Sequence, residues 1–193
     1  MKLAIIDTGC ANLASLAFAL ERLGQKSIIT HDLKELSQAD KLLLPGVGTA
    51  AKAMANLQAL NLENFIQTTT KPLLGICLGM QILGKFSEEL HQKTLGIMPF
   101  DTQKFQEKAN FTFPHMGWNQ VFSSHELFKD LDGAYFYFVH SYCVGLNEYT
   151  IAECEYSTKF SASLNKDNFY GVQFHPERSG EAGEVLLKNF INM

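Results

Sequence analysis

The 193-residue chain has no Cys-x-x-Cys pair, no apolar run approaching the ~18–20 residues that span a bilayer, and no surplus of basic residues. Its four cysteines, Cys10, Cys77, Cys143 and Cys154, are too scattered to suggest a metal site, so neither a metal nor a cofactor is expected. Without a secretion signal they read as reduced thiols, and Cys10, Cys143 and Cys154 as small buried hydrophobes. Sixteen Lys and Arg against twenty Asp and Glu give a net charge of −4. That balance argues against nucleic acid as the main partner and leaves no polybasic membrane signal. Asp7 interrupts the N-terminal apolar run too early for a signal peptide, so a cytoplasmic protein is expected. There is no repeat, low-complexity segment or linker, and one domain over residues 1–193 is the expectation.

What is present is strand–helix alternation. Lys2–Ile6, Lys26–Thr30, Leu42–Leu44 and Leu73–Ile76 read as strands. Asn12–Leu23, ended by Gly24, and the alanine-rich Ala50–Leu60 read as helices between them. Continuous apolar strands imply a mostly parallel sheet covered by helices on both faces, a three-layer α/β fold. The second half is aromatic and β-rich: Tyr135–Val139, Thr150–Cys154, Phe160–Asn165 and Phe169–Phe174 predict antiparallel additions, with a hairpin turn at Asn165–Asn168. A last helix is expected over Gly183–Met193.

The most informative segment is Gly75-Ile76-Cys77-Leu78-Gly79-Met80-Gln81. A cysteine between glycines at the end of an apolar strand has the Gly-x-Cys-x-Gly form of a nucleophile elbow. There the reactive atom sits at the apex of a strained strand-to-helix turn. The following helix would aim its free N–H groups and dipole at the sulfur, favouring thiolate.

A thiol nucleophile needs a base, and the base an orienting group. Among six histidines, His31, His91 and His125 sit in polar stretches and read as solvated. His175 ends an apolar strand and precedes Pro176, which stops the ladder. Side chains at i and i+2 of extended chain share a side, so Glu177 can hold His175 while its other nitrogen faces Cys77. An ordinary surface turn is the alternative for His175 taken alone. For an oxyanion, elbow geometry nominates the N–H of Leu78, and the turn Pro45-Gly46-Val47-Gly48 can supply a second donor through Val47 and Gly48.

Together the Pro45–Gly48 turn, the elbow and Gly171-Val172-Gln173-Phe174-His175-Pro176-Glu177 resemble the class I, triad-type glutamine amidotransferases. Asp7–Leu13, Pro114–Asn119, Phe138–Tyr142 and Arg178 through Phe190 are similar to the glutaminase subunits of imidazole glycerol phosphate synthases of histidine biosynthesis. The likeness runs over essentially the whole chain. It implies that Cys77 attacks the side-chain amide of L-glutamine, with His175 and Glu177 completing the triad. It implies a glutamine pocket of Gly46, Gly48, Gln81, His140, Ser141 and Tyr142, although His140–Tyr142 would also suit a strand end packed on the core. It further implies a heterodimer with a (β/α)₈-barrel cyclase that takes the ammonia. Asn12, Trp118, Tyr137 and Arg178 would lie at that interface or channel mouth; Trp118 suits a core anchor equally. Arginine stands at 178 where the family often carries lysine, keeping charge but changing hydrogen-bond geometry. The family's oxyanion turn is held misaligned until the partner binds, which makes Val47 the expected hinge. The same glutaminase serving another amidation, a stand-alone cysteine hydrolase, or a non-catalytic descendant are the competing readings.

Overall fold

The structure, a computed structural model, describes every residue except Cys10 and Glu107; the expectation for Cys10 falls outside it. The first half runs β1 (Leu3–Ile6), α1 (Leu13–Arg22), β2 (Ser27–Thr30), α2 (Leu33–Ser37), β3 (Lys41–Gly46), α3 (Ala50–Ala59), α4 (Glu63–Thr68), β4 (Leu73–Cys77) and the single turn α5 (Leu78–Gln81). Then come β5 (Phe86–Ser87), β6 (Gln92–Lys93), β7 (Asp101–Lys104), β8 (His115–Val121), β9 (Ala134–His140) and β10 (Tyr142–Val144). The chain closes through β11 (Thr150–Tyr156), β12 (Thr158–Lys166), β13 (Phe169–Val172) and α6 (Gly180–Asn192).

Seven strands form the central sheet in the order β11-β12-β13-β4-β3-β1-β2. The five from β13 to β2 are parallel, and β12 and β11 extend them antiparallel. The apolar strands are continuous because both faces are covered. Leu3, Ile5, Leu43, Leu74 and Ile76 point to the core shared with α1 and α6. Their neighbours Ala4, Ile6, Leu42, Leu44 and Leu73 point to the opposite core, with α2, α3 and α4. Lys41 is buried, and its Nζ donates to the carbonyl of Phe190 at 2.7 Å, satisfying an open acceptor in the last turn of α6.

Two expectations are corrected, and two short helices appear where none was read. Tyr135–Val139 does not join the central sheet; it lies in β9, which pairs with β8 in a separate two-stranded ribbon. The helices α2 and α4 went unread because five and six residues are too few to display a helical period. The elbow helix is one turn of four residues, so its dipole is a weaker aid to the sulfur than a full helix would be.

Candidate active site

Cys77 is the last residue of β4 and adopts φ 56°, ψ −111°. A non-glycine residue in this region carries about 1–3 kcal/mol of strain, which the surroundings must impose. They do so by close packing. A Cβ on Gly75 would come within 2.6 Å of the Gly79 carbonyl oxygen, and one on Gly79 would overlap the carbonyl of Leu44 in β3. The two glycines let the turn fold down onto its own strand and the next one, leaving Cys77 at the apex.

β13 lies beside β4 in parallel, with Val172 opposite Ile76, so the chain beyond it runs alongside Cys77. His175 Nδ1 meets Glu177 Oε1 at 2.8 Å, and both side chains are almost wholly buried. The turn is braced by Ser179, whose hydroxyl donates to the His175 carbonyl at 2.7 Å and accepts from the Tyr137 N–H at 3.0 Å. Burial alone would lower the pKa of His175. The side-chain influence and negative charge of Cys77 and Glu177 outweigh it and push the pKa up to about 10. The ring therefore holds its proton at neutral pH. Its Nε2 is buried without a hydrogen bond of normal geometry and is left to the Cys77 side chain.

Cys77 opens into a cavity of about 330 Å³ lined by Val47, Gly48, Leu78, Gln81, Glu89, Pro114, Val139, Ser141 and Tyr142 together with His140 and His175. Of the expected pocket residues only Gly46 lies elsewhere. It lines a smaller cavity of about 90 Å³ on the far side of the same wall, with Asn12, Val47, Val139, His175, Glu177 and Arg178. Gly46 ends β3, and Gly79 N lies 2.9 Å from where its Cβ would be, so the turn closes over it. Asn12 also caps α1, accepting from the Ser15 N–H at 3.3 Å. The 3₁₀ turn at Glu89–His91 delivers Glu89, which nothing in its local sequence singles out. It is the one carboxylate among the described residues of the larger cavity, and it accepts from the Ala50 N–H at 2.8 Å. Gln173 was also missed, although it is the one polar residue just before His175, between the end of β13 and the His175–Arg178 turn.

His140 is a nearly buried part of the pocket wall. Its Nδ1 is 2.8 Å from the carbonyl of Tyr142, which can only accept, so Nδ1 carries the proton. Its Nε2 must then accept from His115 Nδ1 at 3.0 Å. Burial lowers the pKa of His115 to about 4 and that of His140 to about 3. Both stay neutral when folded but take up protons below about pH 6.5 when unfolded. Their stabilisation is therefore complete above that pH and falls away from about pH 6.5 towards 4. His175, with its raised pKa, is protonated in both states below about pH 5.5 and adds nothing to the slope there, while nearer pH 6.5 its unfolded form is still losing its proton and contributes with the opposite sign. His115 stacks on Tyr156 at 4.0 Å between centroids, which a phenyl ring can reproduce. His115→Phe should flatten the acid slope by about one proton in chemical unfolding followed from pH 7 to 5; an unchanged slope would mean that His115 does not titrate this way.

The β8–β9 ribbon divides cleanly. His115, Phe136, Phe138, His140 and Val121 face the core, while Met116, Trp118 and Gln120 pair with Val139, Tyr137 and Tyr135 on the outer face. Trp118 is 56% exposed and packs edge-on to Tyr137 at 6.1 Å, so it is no core anchor. This outer face begins at Val139, a wall residue of both cavities. Cys143 and Cys154 are buried and unpaired, and burial pushes both thiols up to about 12, leaving them inert. No helix among the described residues is long and apolar enough to cross a membrane.

The model of the family described as glutamine amidotransferase class-I matches residues 4–193. An imidazole glycerol phosphate synthase subunit HisH 2 of Campylobacter jejuni strain RM1221 is 73% identical, over 99% of this chain and 98% of its own. A subunit HisH of Pectobacterium atrosepticum is 53% identical over the whole of both chains. Among solved structures, a glutamine amidotransferase superposes with a TM-score of 0.77 at 16% identity, covering 98% of this chain and 97% of its own. PurLQS from Thermotoga maritima gives 0.73 at 16%, over 99% and 97%; at such identities the likeness is of fold alone. The match from the first strand to the last residue, over an elbow that carries its cysteine on a parallel α/β sheet, makes this chain a member of the class-I glutamine amidotransferase family.

Proposed function

We propose that the chain is the glutaminase subunit of an imidazole glycerol phosphate synthase, releasing ammonia from L-glutamine for a separate cyclase subunit. The observation that carries this reading is the buried His175–Glu177 pair next to Cys77, with Cys77 and His175 both lining a cavity of about 330 Å³, in a chain 73% identical over 99% of its length to a subunit of that name. The sulfur of Cys77 attacks the amide carbon of glutamine. The oxygen becomes an oxyanion, received by the Leu78 N–H and the Val47–Gly48 turn. His175 passes its Nε2 proton to the departing nitrogen, ammonia leaves and a glutamyl thioester remains. Water then adds to the thioester, its proton goes to His175, and glutamate departs with Cys77 restored. Gly48 sits at φ 90° and Val47 is 44% exposed, so the peptide between them is free to turn when a partner covers it.

Ammonia set free in neutral water becomes ammonium, which is no nucleophile, so it must pass directly to an acceptor. The smaller cavity shares Val47, Val139 and His175 with the larger one and reaches Asn12 and Arg178, giving ammonia a way out. The exposed Trp118–Tyr137 face of the ribbon suits the docking of the partner, a (β/α)₈-barrel cyclase in the resemblance. That partner's products would be imidazole glycerol phosphate and an aminoimidazole carboxamide ribotide.

Glutamine hydrolysis by the chain alone, with the cyclase, and with cyclase plus its nucleotide substrate tests this reading. Activity should be low alone and rise with each addition; strong partner-independent turnover would favour a stand-alone hydrolase. Glu89, the pocket carboxylate, pairs with the substrate α-ammonium in this reading. Glu89→Gln keeps the bond to Ala50 but removes the charge, and should raise KM about ten- to a hundredfold with kcat nearly unchanged. An unaltered KM would place the ammonium elsewhere.

A further inference from the structure

With the elbow helix reduced to a single turn, the charged form of the sulfur depends on the protonated His175 beside it and on the other groups that hydrogen-bond the sulfur. Besides His175, the Cys77 thiol meets two polar groups of opposite preference. The carbonyl of Val139, 4.0 Å from Sγ, can only accept and so favours the protonated thiol. The side-chain Nε2 of Gln173, 3.8 Å away, donates and so favours the thiolate.

The direction of that second contact is fixed by the network behind it. The Tyr142 carbonyl is an obligate acceptor, and Gln81 Nε2 lies 2.9 Å from it, so this atom of Gln81 is the amide nitrogen. The same Nε2 lies 2.9 Å from Gln173, which must therefore present its oxygen there and turn its nitrogen to the sulfur. His140, also bonded to the Tyr142 carbonyl, anchors the far end and is held in turn by His115. Gln173 is completely buried and Gln81 nearly so, so no water competes for these bonds. A buried glutamine just beyond an apolar strand is expensive unless both ends of its amide are used; here one end holds Gln81 and the other meets the Cys77 sulfur.

We propose that Gln173 is the positioning donor for the nucleophile: its amide, aimed by Gln81 and the Tyr142 carbonyl, holds the Cys77 thiolate at the elbow. This deepens the glutaminase reading and rests on Cys77 being its nucleophile. Because both amide protons of Gln81 serve this network, Gln81 has only its oxygen left to offer the cavity it lines.

The test reads the thiol itself, without glutamine. In the full-length chain, the rate of Cys77 alkylation by iodoacetamide is followed against pH, with the modified peptide identified by mass. Gln173→Met keeps the length and removes the donor. The midpoint should rise by about one to two pH units, and alkylation below it should slow about ten- to a hundredfold. The other titratable groups facing the thiol, His175, Glu89, His140 and Tyr142, are the same in both proteins. A purely structural role for Gln173 would change unfolding temperature but not that midpoint, and an unshifted midpoint in the folded variant overturns the proposal. Should Gln173→Met fail to fold, the wild-type chain suffices. The Gln173 side-chain amide resonances should move with the thiol titration and stay flat in Cys77→Ser; flat resonances in the wild type overturn it equally. Failure of the glutaminase reading would show separately, as absent glutamine turnover by the wild-type chain with its cyclase.

Discussion

Cys77→Ala should abolish glutamine hydrolysis, by more than about 10⁴-fold in kcat, while the chain still folds and still associates with its partner. Alanine tolerates φ 56° no worse than cysteine, and removing one sulfur from a cavity wall disturbs little packing. Dissociation of the complex on this substitution would mean that Cys77 belongs to an interface rather than to the chemistry. The partners of Cys77 should rank below it and differ from one another. In the proposed mechanism His175→Ala removes the group that protonates the leaving nitrogen, and it should cost about 10³–10⁴-fold. Glu177→Gln keeps an oxygen for Nδ1 at the observed 2.8 Å contact but removes the charge that helps raise His175 to about 10. The ring then loses its proton at lower pH. The expected loss is smaller, about 10–100-fold at pH 8, and it should shrink as the assay pH is lowered. Equal losses for His175→Ala and Glu177→Gln at every pH would contradict a glutamate that acts through the histidine's charge.

The parallel half of the fold was legible because each of its strands obeys a simple rule: when both faces are covered, every residue is apolar, as in Leu3–Ile6 and Leu73–Ile76. The elbow was legible because only glycine permits the contacts made at 75 and 79. The His175–Glu177 pair followed from the two-residue period of extended chain. What was hidden depends on long-range packing. The β8 strand carries Gly117 and a polar, aromatic mixture with no period of its own, and it becomes a strand only by pairing with β9. Glu89 reaches the cavity from a short 3₁₀ turn whose local sequence is that of any surface loop. Gln173 did carry a signal, a polar residue two before His175 in an apolar run. Its meaning depends on the register that sets Val172 against Ile76, which no local pattern encodes.

Gly79→Ala should be the most damaging single methyl in the chain. The elbow is seated directly on β3: Leu44 pairs with Gly75, and its carbonyl lies where a Cβ on residue 79 would have to go. Leu44 is fully buried in the middle of the sheet and cannot retreat, and the Gly75 position is already closed by the Gly79 carbonyl at 2.6 Å. The clash must be relieved by lifting α5 off the sheet, which breaks packing around Leu78 and Met80, both in the core shared with α3. Overpacking of this kind costs about 2–4 kcal/mol, lowering Tm by about 5–15 °C for a domain this size. The same lift carries Cys77 and the Leu78 N–H away from the substrate carbon. The protein that remains folded should therefore lose about 100-fold in activity, since a displacement near 1 Å is enough. Two controls separate the causes. Gly145→Ala, at an exposed position with nothing near its Cβ, should leave both Tm and activity within error. Gly48→Ala, also open but at φ 90°, should lower activity through the oxyanion turn with a much smaller change in Tm. A Gly79→Ala protein that melts with the wild type would show that the elbow can rise from β3 at no cost, and the close seating would then not be what holds the nucleophile in its strained turn.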